Sequence, residues 1–71
     1  MEQVYAIYLS KRGRNSGITI CFWLTSFDNR DDWQKGIRSL MHSIAYDNEQ
    51  SVSAEYKSTS KEHQAILHIG E

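Results

Sequence analysis

Four segments of the chain place apolar residues in rows with a period of two: residues 3–10, 17–25, 51–58 and 63–70. The first two are rich in β-branched and aromatic residues, and Gly, Asn, Asp and Ser, rather than proline, occupy the loops. This composition is typical of strands joined by turns, and a period of two places successive side chains on opposite faces of a sheet. The pattern predicts two hairpins, one before and one after residues 28–50.

Between the hairpins the apolar positions change to the spacing of an α-helix. They fall at i, i+4, i+7, i+8 and i+11: Trp33, Ile37, Leu40, Met41 and Ile44. That spacing predicts an amphipathic helix, which Asp28 or Asn29 can cap through a side-chain oxygen. Gly36 weakens the middle of this helix by about 1 kcal/mol relative to alanine. It either permits close approach to a strand or a partner, or is a tolerated glycine on the solvent side.

The order of these elements predicts a single α+β domain over residues 1–71, a two-layer ββαββ unit. We expect a four-stranded antiparallel sheet with the amphipathic helix across one face. The more apolar row of each strand is expected to face the helix: Tyr5, Ile7, Leu9, Ile18, Ile20, Phe22, Leu24, Val52, Ala54, Tyr56, Ala65, Leu67 and Ile69.

The opposite face of the sheet, which we call the open face, is left without a helix. It is expected to carry a continuous apolar and aromatic patch, and such patches mark interaction sites. The residues predicted to bind a partner are Tyr8, Cys21, Trp23, Ile66 and His68. Two alternatives remain: another segment of the chain covers the patch, or the apolar residues are scattered and have no function.

Length and cysteine content favour association. A chain of 71 residues buries only about 60% of the surface that its unfolded form exposes, so its stability margin is small. Cys21 is the single cysteine and cannot form an intramolecular disulfide, and therefore a partner or a second copy is the expected source of extra stability. One cysteine and no signal-like apolar run predict a cytoplasmic protein, and no apolar stretch approaches the roughly 20 residues of a membrane span.

Charge gives a weaker indication of nucleic-acid binding. The net charge of −1 produces no general attraction to nucleic acid or to anionic membranes. Lys11, Arg12 and Arg14 form a local basic cluster in the first hairpin loop, where they can contact phosphates or an acidic partner. Tyr8 and Trp23 can stack on unpaired bases, although the open face offers no lysine or arginine beside them. The alternative is an ordinary solvated turn.

A ribonuclease-type toxin is a further alternative. Three histidines and nearby polar groups are candidates for general acid–base catalysis: His42, His63, His68, Tyr56, Lys61 and Glu62. However, strand alternation places His63 and His68 on opposite faces. No cysteine pair or close histidine pair has metal-ligand spacing. The sequence therefore predicts no catalytic residue, no metal and no cofactor.

A small ββαββ chain with one cysteine and no active-site motif is typical of accessory proteins of phages and mobile elements, which bind and block a host protein. No motif assigns it to a family. We expect a non-enzymatic protein-binding module, an inhibitor or regulator, that docks on a larger protein or forms a homodimer through the open face. Nucleic-acid binding and ribonuclease activity are the alternatives.

Overall fold

The computed structural model describes residues 4–12 and 19–69, apart from the side chains of Arg12 and Asn48. These residues form strands β1 (Val4–Arg12) and β2 (Thr19–Phe27), helix α1 (Arg30–Asn48), and strands β3 (Val52–Ser58) and β4 (Glu62–Ile69). The predicted α+β class and the order of the elements along the chain are confirmed. β2 ends two residues later than the sequence pattern indicates, at Phe27.

The strands form one mixed sheet in the order β2-β1-β4-β3. Both hairpins are antiparallel, but β1 and β4 pair in parallel, so the prediction of a purely antiparallel sheet is wrong at the central pair. The reason lies in α1, whose 19 residues span about 28 Å, close to the length of β2. The helix returns the chain to the end of the sheet where β2 began, and β3 therefore runs in the direction of β2. Since each hairpin reverses the chain, β1 and β4 are also parallel.

The start of α1 is capped by a side chain. Asn29 Oδ1 accepts a hydrogen bond of 2.8 Å from the backbone N–H of Asp32, which selects Asn29 from the two predicted caps. Asp31 and Asp32 lie in the first turn, where negative charge complements the helix dipole. At the other end, Glu49 has a left-handed backbone with φ of 52°. In the ranges that the structure describes, no helix has both the length and the apolar content needed to cross a lipid bilayer.

The apolar stripe of α1 packs on one face of the sheet. The buried centre of this core consists of Ile7, Trp33, Ile37, Ala65 and Leu67. Partly buried residues surround it: Tyr5, Leu9, Leu24, Phe27, Leu40, Met41, Ile44, Val52 and Ala54. The strand rows that were predicted to face the helix lie on this side, except Ile18, which is outside the described residues.

Gly36 faces the sheet rather than the solvent. A Cβ atom at this position would lie 2.7 Å from Cζ of Phe27 and 3.5 Å from Cδ1 of Ile7. The first distance is too short for a carbon–carbon contact. Of the two interpretations of this glycine, close approach to a strand is the one that the packing supports.

A β-bulge changes the phase of β2. Ile7 lies opposite Thr25 and Tyr8 lies opposite Trp23, so Leu24 is the extra residue. Before the bulge, Phe22 lies on the helix-facing side with Leu9, and after it Phe27 lies there with Tyr5. The bulge thus lets β2 supply Phe27 to the core without moving Trp23 from the open face.

Candidate protein-interaction surface

The strand register brings the predicted partner-binding residues together on the open face. One row across the sheet, from β2 to β3, consists of Trp23, Tyr8, Ile66 and Glu55. The neighbouring row consists of Cys21, Ser10, His68 and Ser53. The five predicted residues therefore occupy two adjacent rows.

Their exposure separates these residues into two groups. The side chains of Trp23 and Cys21 at the edge of the sheet are exposed, with Trp23 at 61%. Ile66, in the central strand β4, is only 8% exposed, and His68 Nε2 lies 2.9 Å from Oε1 of Glu55. Ile66 and His68, in the middle of the face, are therefore partly covered by the neighbouring strands. Of the five predicted residues, the most accessible ones lie on β2.

Tyr8 connects the edge to the middle of the face. Its hydroxyl donates a hydrogen bond of 3.0 Å to Oε1 of Glu62, and Gln64 Nε2 donates to the same oxygen. The hydrogen bond to Glu62, together with burial and the negative charge of that carboxylate, raises the pKa of Tyr8 above its usual 10.0. The phenol is therefore hydrogen-bonded and neutral at physiological pH, on the strand next to Trp23.

Charge divides the open face into two halves. On β1 and β2, the described open-face residues up to Ser10 and from Thr19 onward carry no charge. On β4 and β3 the same face carries the charged residues Glu62, Glu55 and Lys57, and Lys57 Nζ lies 3.8 Å from Glu55 Oε2. The uncharged half is the more favourable one to desolvate, because burying unpaired charge is costly.

The sequence interpretation missed two exposed apolar residues on the other side of β2. Ile20 and Phe22 were expected in the core, yet they are 49% and 48% exposed. The paired part of β4 stops opposite Ser10, whereas the pairing of β1 with β2 continues through Arg12. The hairpin therefore extends past the part of the sheet that the core cluster covers.

These residues define a surface that we call the β2 edge patch: Ile20, Cys21, Phe22 and Trp23. They are consecutive, so they present apolar side chains on both faces of an edge strand. A strand without charge from Thr19 to Phe27 was the sequence signal for this patch. Whether that strand lies at an edge depends on strand order, which the sequence does not specify.

Lys11, the one residue of the predicted basic cluster whose side chain the structure describes, does not share a face with the aromatic rings. Lys11 is exposed and lies opposite Ile20, on the helix-facing side, whereas Tyr8 and Trp23 lie on the open face. Arg14 and the side chain of Arg12 lie outside the described residues. In addition, Glu62 places a carboxylate at the Tyr8 hydroxyl, which repels phosphate. This geometry does not favour nucleic-acid binding on the open face.

The candidate acid–base residues are distributed over different surfaces. His63 stacks on Tyr5 on the helix-facing side, with 4.9 Å between ring centroids, and its Nδ1 lies 2.9 Å from Ser58 Oγ. His68 lies on the open face, and His42 is exposed on α1. The described residues contain no group of three side chains suited to hold a metal ion.

Comparison with known proteins gives no match. No family model matches the chain, and neither a curated protein nor a solved structure is similar to it.

Proposed function

We propose that this chain is a non-enzymatic protein-binding module whose contact surface is centred on Trp23. The observation that carries the proposal is the 61% exposure of Trp23 within an uncharged part of the sheet. Tryptophan is enriched among the residues that dominate binding energy, because it buries a large rigid area when a partner covers it. Cys21 and Phe22 extend the same apolar surface along β2.

The surrounding structure supports a binding role in two ways. Tyr8, which lies opposite Trp23 in the strand register, is held by its hydrogen bond to Glu62, so part of the surface is ordered before any partner arrives, which lowers the entropy cost of binding. The charged half of the open face, with Glu55 and Lys57, supplies a polar rim on one side. An apolar centre with a polar rim is the usual anatomy of a protein interface.

We infer a regulatory or inhibitory mode of action, in which the module docks on its partner and blocks it. We place the protein in the cytoplasm, where the free thiol of Cys21 on this surface stays reduced.

The experiment compares Trp23→Glu with the parent chain. The variant is expected to keep the circular dichroism spectrum and melting cooperativity of the parent, because the substituted side chain is exposed. It should lose association, since an added carboxylate without a counter-charge costs more than the roughly 2 kcal/mol of a truncated interface tryptophan. Association is measured by the mass of the chain in solution and by affinity capture from a lysate of the organism that makes it.

Ser39→Glu serves as the control, because it adds the same charge at an exposed position of α1, on the other side of the sheet, and should leave association unchanged. Phe22→Glu tests the helix-facing side of the β2 edge patch. We expect this variant to fold as well, because Phe22 is half exposed rather than buried beneath α1. The proposal fails when the parent chain associates with no protein, itself included, or when Trp23→Glu associates as tightly as the parent.

A further inference from the structure

The two edges of the sheet differ in how they are protected. Edge strands expose unpaired N–H and C=O groups, and natural proteins shield them with charged residues, proline, bulges or short length. β3 has seven residues and carries Glu55 and Lys57. β2 has nine residues and no charge, and the protective feature that the described residues give it is the bulge at Leu24. β2 is therefore the edge that is open to pairing with another strand.

We propose that two copies of this chain pair through β2, antiparallel about a two-fold axis, and join their sheets into one. This inference rests on the proposed function and names the partner as a second copy. A two-fold axis perpendicular to the sheet keeps both α1 helices on the same side and leaves one continuous open face. The two β2 edge patches meet at the centre.

Charge on the described residues favours a second copy in this orientation. Antiparallel pairing brings the start of β2 in one copy beside the end of β2 in the other. Lys11 lies at the first end, opposite Ile20, and is exposed on the helix-facing side. Asp28 follows the other end, and Asp31 is exposed in the first turn of α1, which lies on that same side. The symmetry brings these opposite charges toward each other at both ends of the interface.

The exposed area of the patch is more than half of the minimum that a specific interface buries. Ile20, Phe22 and Trp23 are 49%, 48% and 61% exposed, which corresponds to roughly 300 to 350 Å² per copy for side chains of this size. A specific interface requires about 500 Å² per copy. The backbone edge of β2 and the exposed side chains of Thr19, Cys21 and Ser26 contribute the remainder.

The first test uses charge reversal and sedimentation equilibrium. The parent chain is expected to sediment with twice the 8.3 kDa of one chain at micromolar concentrations. Lys11→Glu and Asp28→Lys should each weaken dimerisation about tenfold or more at low salt, because each places like charges together at both ends. The double variant restores opposite charges and should recover most of the parent affinity. Antiparallel pairing of β2 is the arrangement that brings these two positions together, so recovery of affinity in the double variant supports it.

The second test separates the two edges. Cys21 and Ser53 are exposed and stand at opposite ends of the same open-face row, so Cys21→Lys and Ser53→Lys form a matched pair. Only Cys21→Lys should produce a monomer. Amide hydrogen exchange at high and low protein concentration should show added protection in β2 and none in β3. Thermal melts by circular dichroism verify that every variant is folded.

A parent chain that stays monomeric at high concentration overturns the dimer. So does a dimer that Ser53→Lys disrupts and Cys21→Lys does not, or one whose formation leaves the β2 amides unprotected. A monomer that captures a different protein through Trp23 overturns the dimer and leaves the proposed function standing. A chain that associates with nothing overturns both.

Discussion

The two tryptophans of this chain lie on opposite sides of one sheet. Trp33 projects from α1 into the core, is 5% exposed, and donates its indole N–H to the carbonyl of Ala6 at 3.0 Å. Trp23 lies on the open face and is 61% exposed. The same residue type thus stabilises the fold on one side and presents an uncovered surface on the other. The difference shows that the helix, rather than the apolar content of a strand, decides which side becomes the core.

A second contrast exists within the open face. Ile66 is buried there without any helix above it, because β4 has paired strands on both sides. Among the described residues, Trp23 has a neighbouring strand on one side only, since β2 is an edge of the sheet. On the open face, therefore, exposure follows the distance from the sheet edge.

The largest expected effect separates the two tryptophans. Trp33→Ala should lower the free energy of unfolding by about 3 to 5 kcal/mol, because it leaves a cavity in the core and removes the hydrogen bond to Ala6. Trp23→Ala should change it by less than about 0.5 kcal/mol under conditions where the chain is monomeric. Urea denaturation at low protein concentration measures both values. Equal losses of unfolding free energy in the two variants would contradict the assignment of Trp33 to the core and of Trp23 to an exposed surface.

The next comparison uses two isoleucines on adjacent central strands. Ile7→Ala, on the helix-facing side, should cost about 2 to 5 kcal/mol. Ile66→Ala, on the open face, should cost only about 1 to 2 kcal/mol, because water can enter the space and little closed cavity remains. The same denaturation experiment ranks them, and a larger loss for Ile66→Ala would contradict the ranking.

Gly36→Ala probes how closely α1 approaches the sheet. The added methyl meets the ring of Phe27, and overpacking of this kind costs about 1 to 3 kcal/mol, which outweighs the roughly 1 kcal/mol gained in helix propensity. We expect net destabilisation, with recovery in the double variant that also carries Phe27→Leu. Ser39→Ala, at an exposed position of α1, is the control and should stabilise slightly. A gain in stability for Gly36→Ala would place the glycine away from the sheet.

The smallest effect concerns Tyr8 on the open face. Because folding raises its pKa above 10.0, the interaction with Glu62 stabilises the fold fully below that value and is lost as the pH rises through the higher pKa of the folded state. Glu62→Gln removes the carboxylate charge and should bring the Tyr8 titration back toward 10.0. The Tyr8 titration is measured from the ultraviolet absorbance of tyrosinate, as the difference between the chain with Tyr8 and the Tyr8→Phe variant. An unchanged titration in Glu62→Gln would assign the shift to burial alone.

The local elements of this fold were predictable because their signals are local. The stripe from Trp33 to Ile44 and the cap at Asn29 depend on residues within a few positions of each other. The parallel pairing of β1 with β4 was not predictable in this way, since the alternation within a strand is the same whichever strand lies beside it. That pairing follows from the path of α1 across the sheet.

For the candidate surface, alternation predicted the outward direction of Trp23 but not the extent of the patch. Ile20 and Phe22 face the helix side as predicted, yet the core cluster does not reach them. Ile66 lies on the open face, as predicted, but the neighbouring strands bury it. Both outcomes depend on the order of the strands and on the length of the hairpin beyond the core.

The central β1–β4 pair has a consequence for folding kinetics. Its partners, such as Val4 and Glu62, come from opposite ends of the described chain, so this ladder forms only after a large loop closes, which slows folding relative to a helical protein of similar length. During synthesis on the ribosome, β1 and β2 can pair early, but the other side of β1 has no strand beside it until β4 has emerged. For that interval the nascent hairpin exposes a second unpaired edge to aggregation and to chaperones.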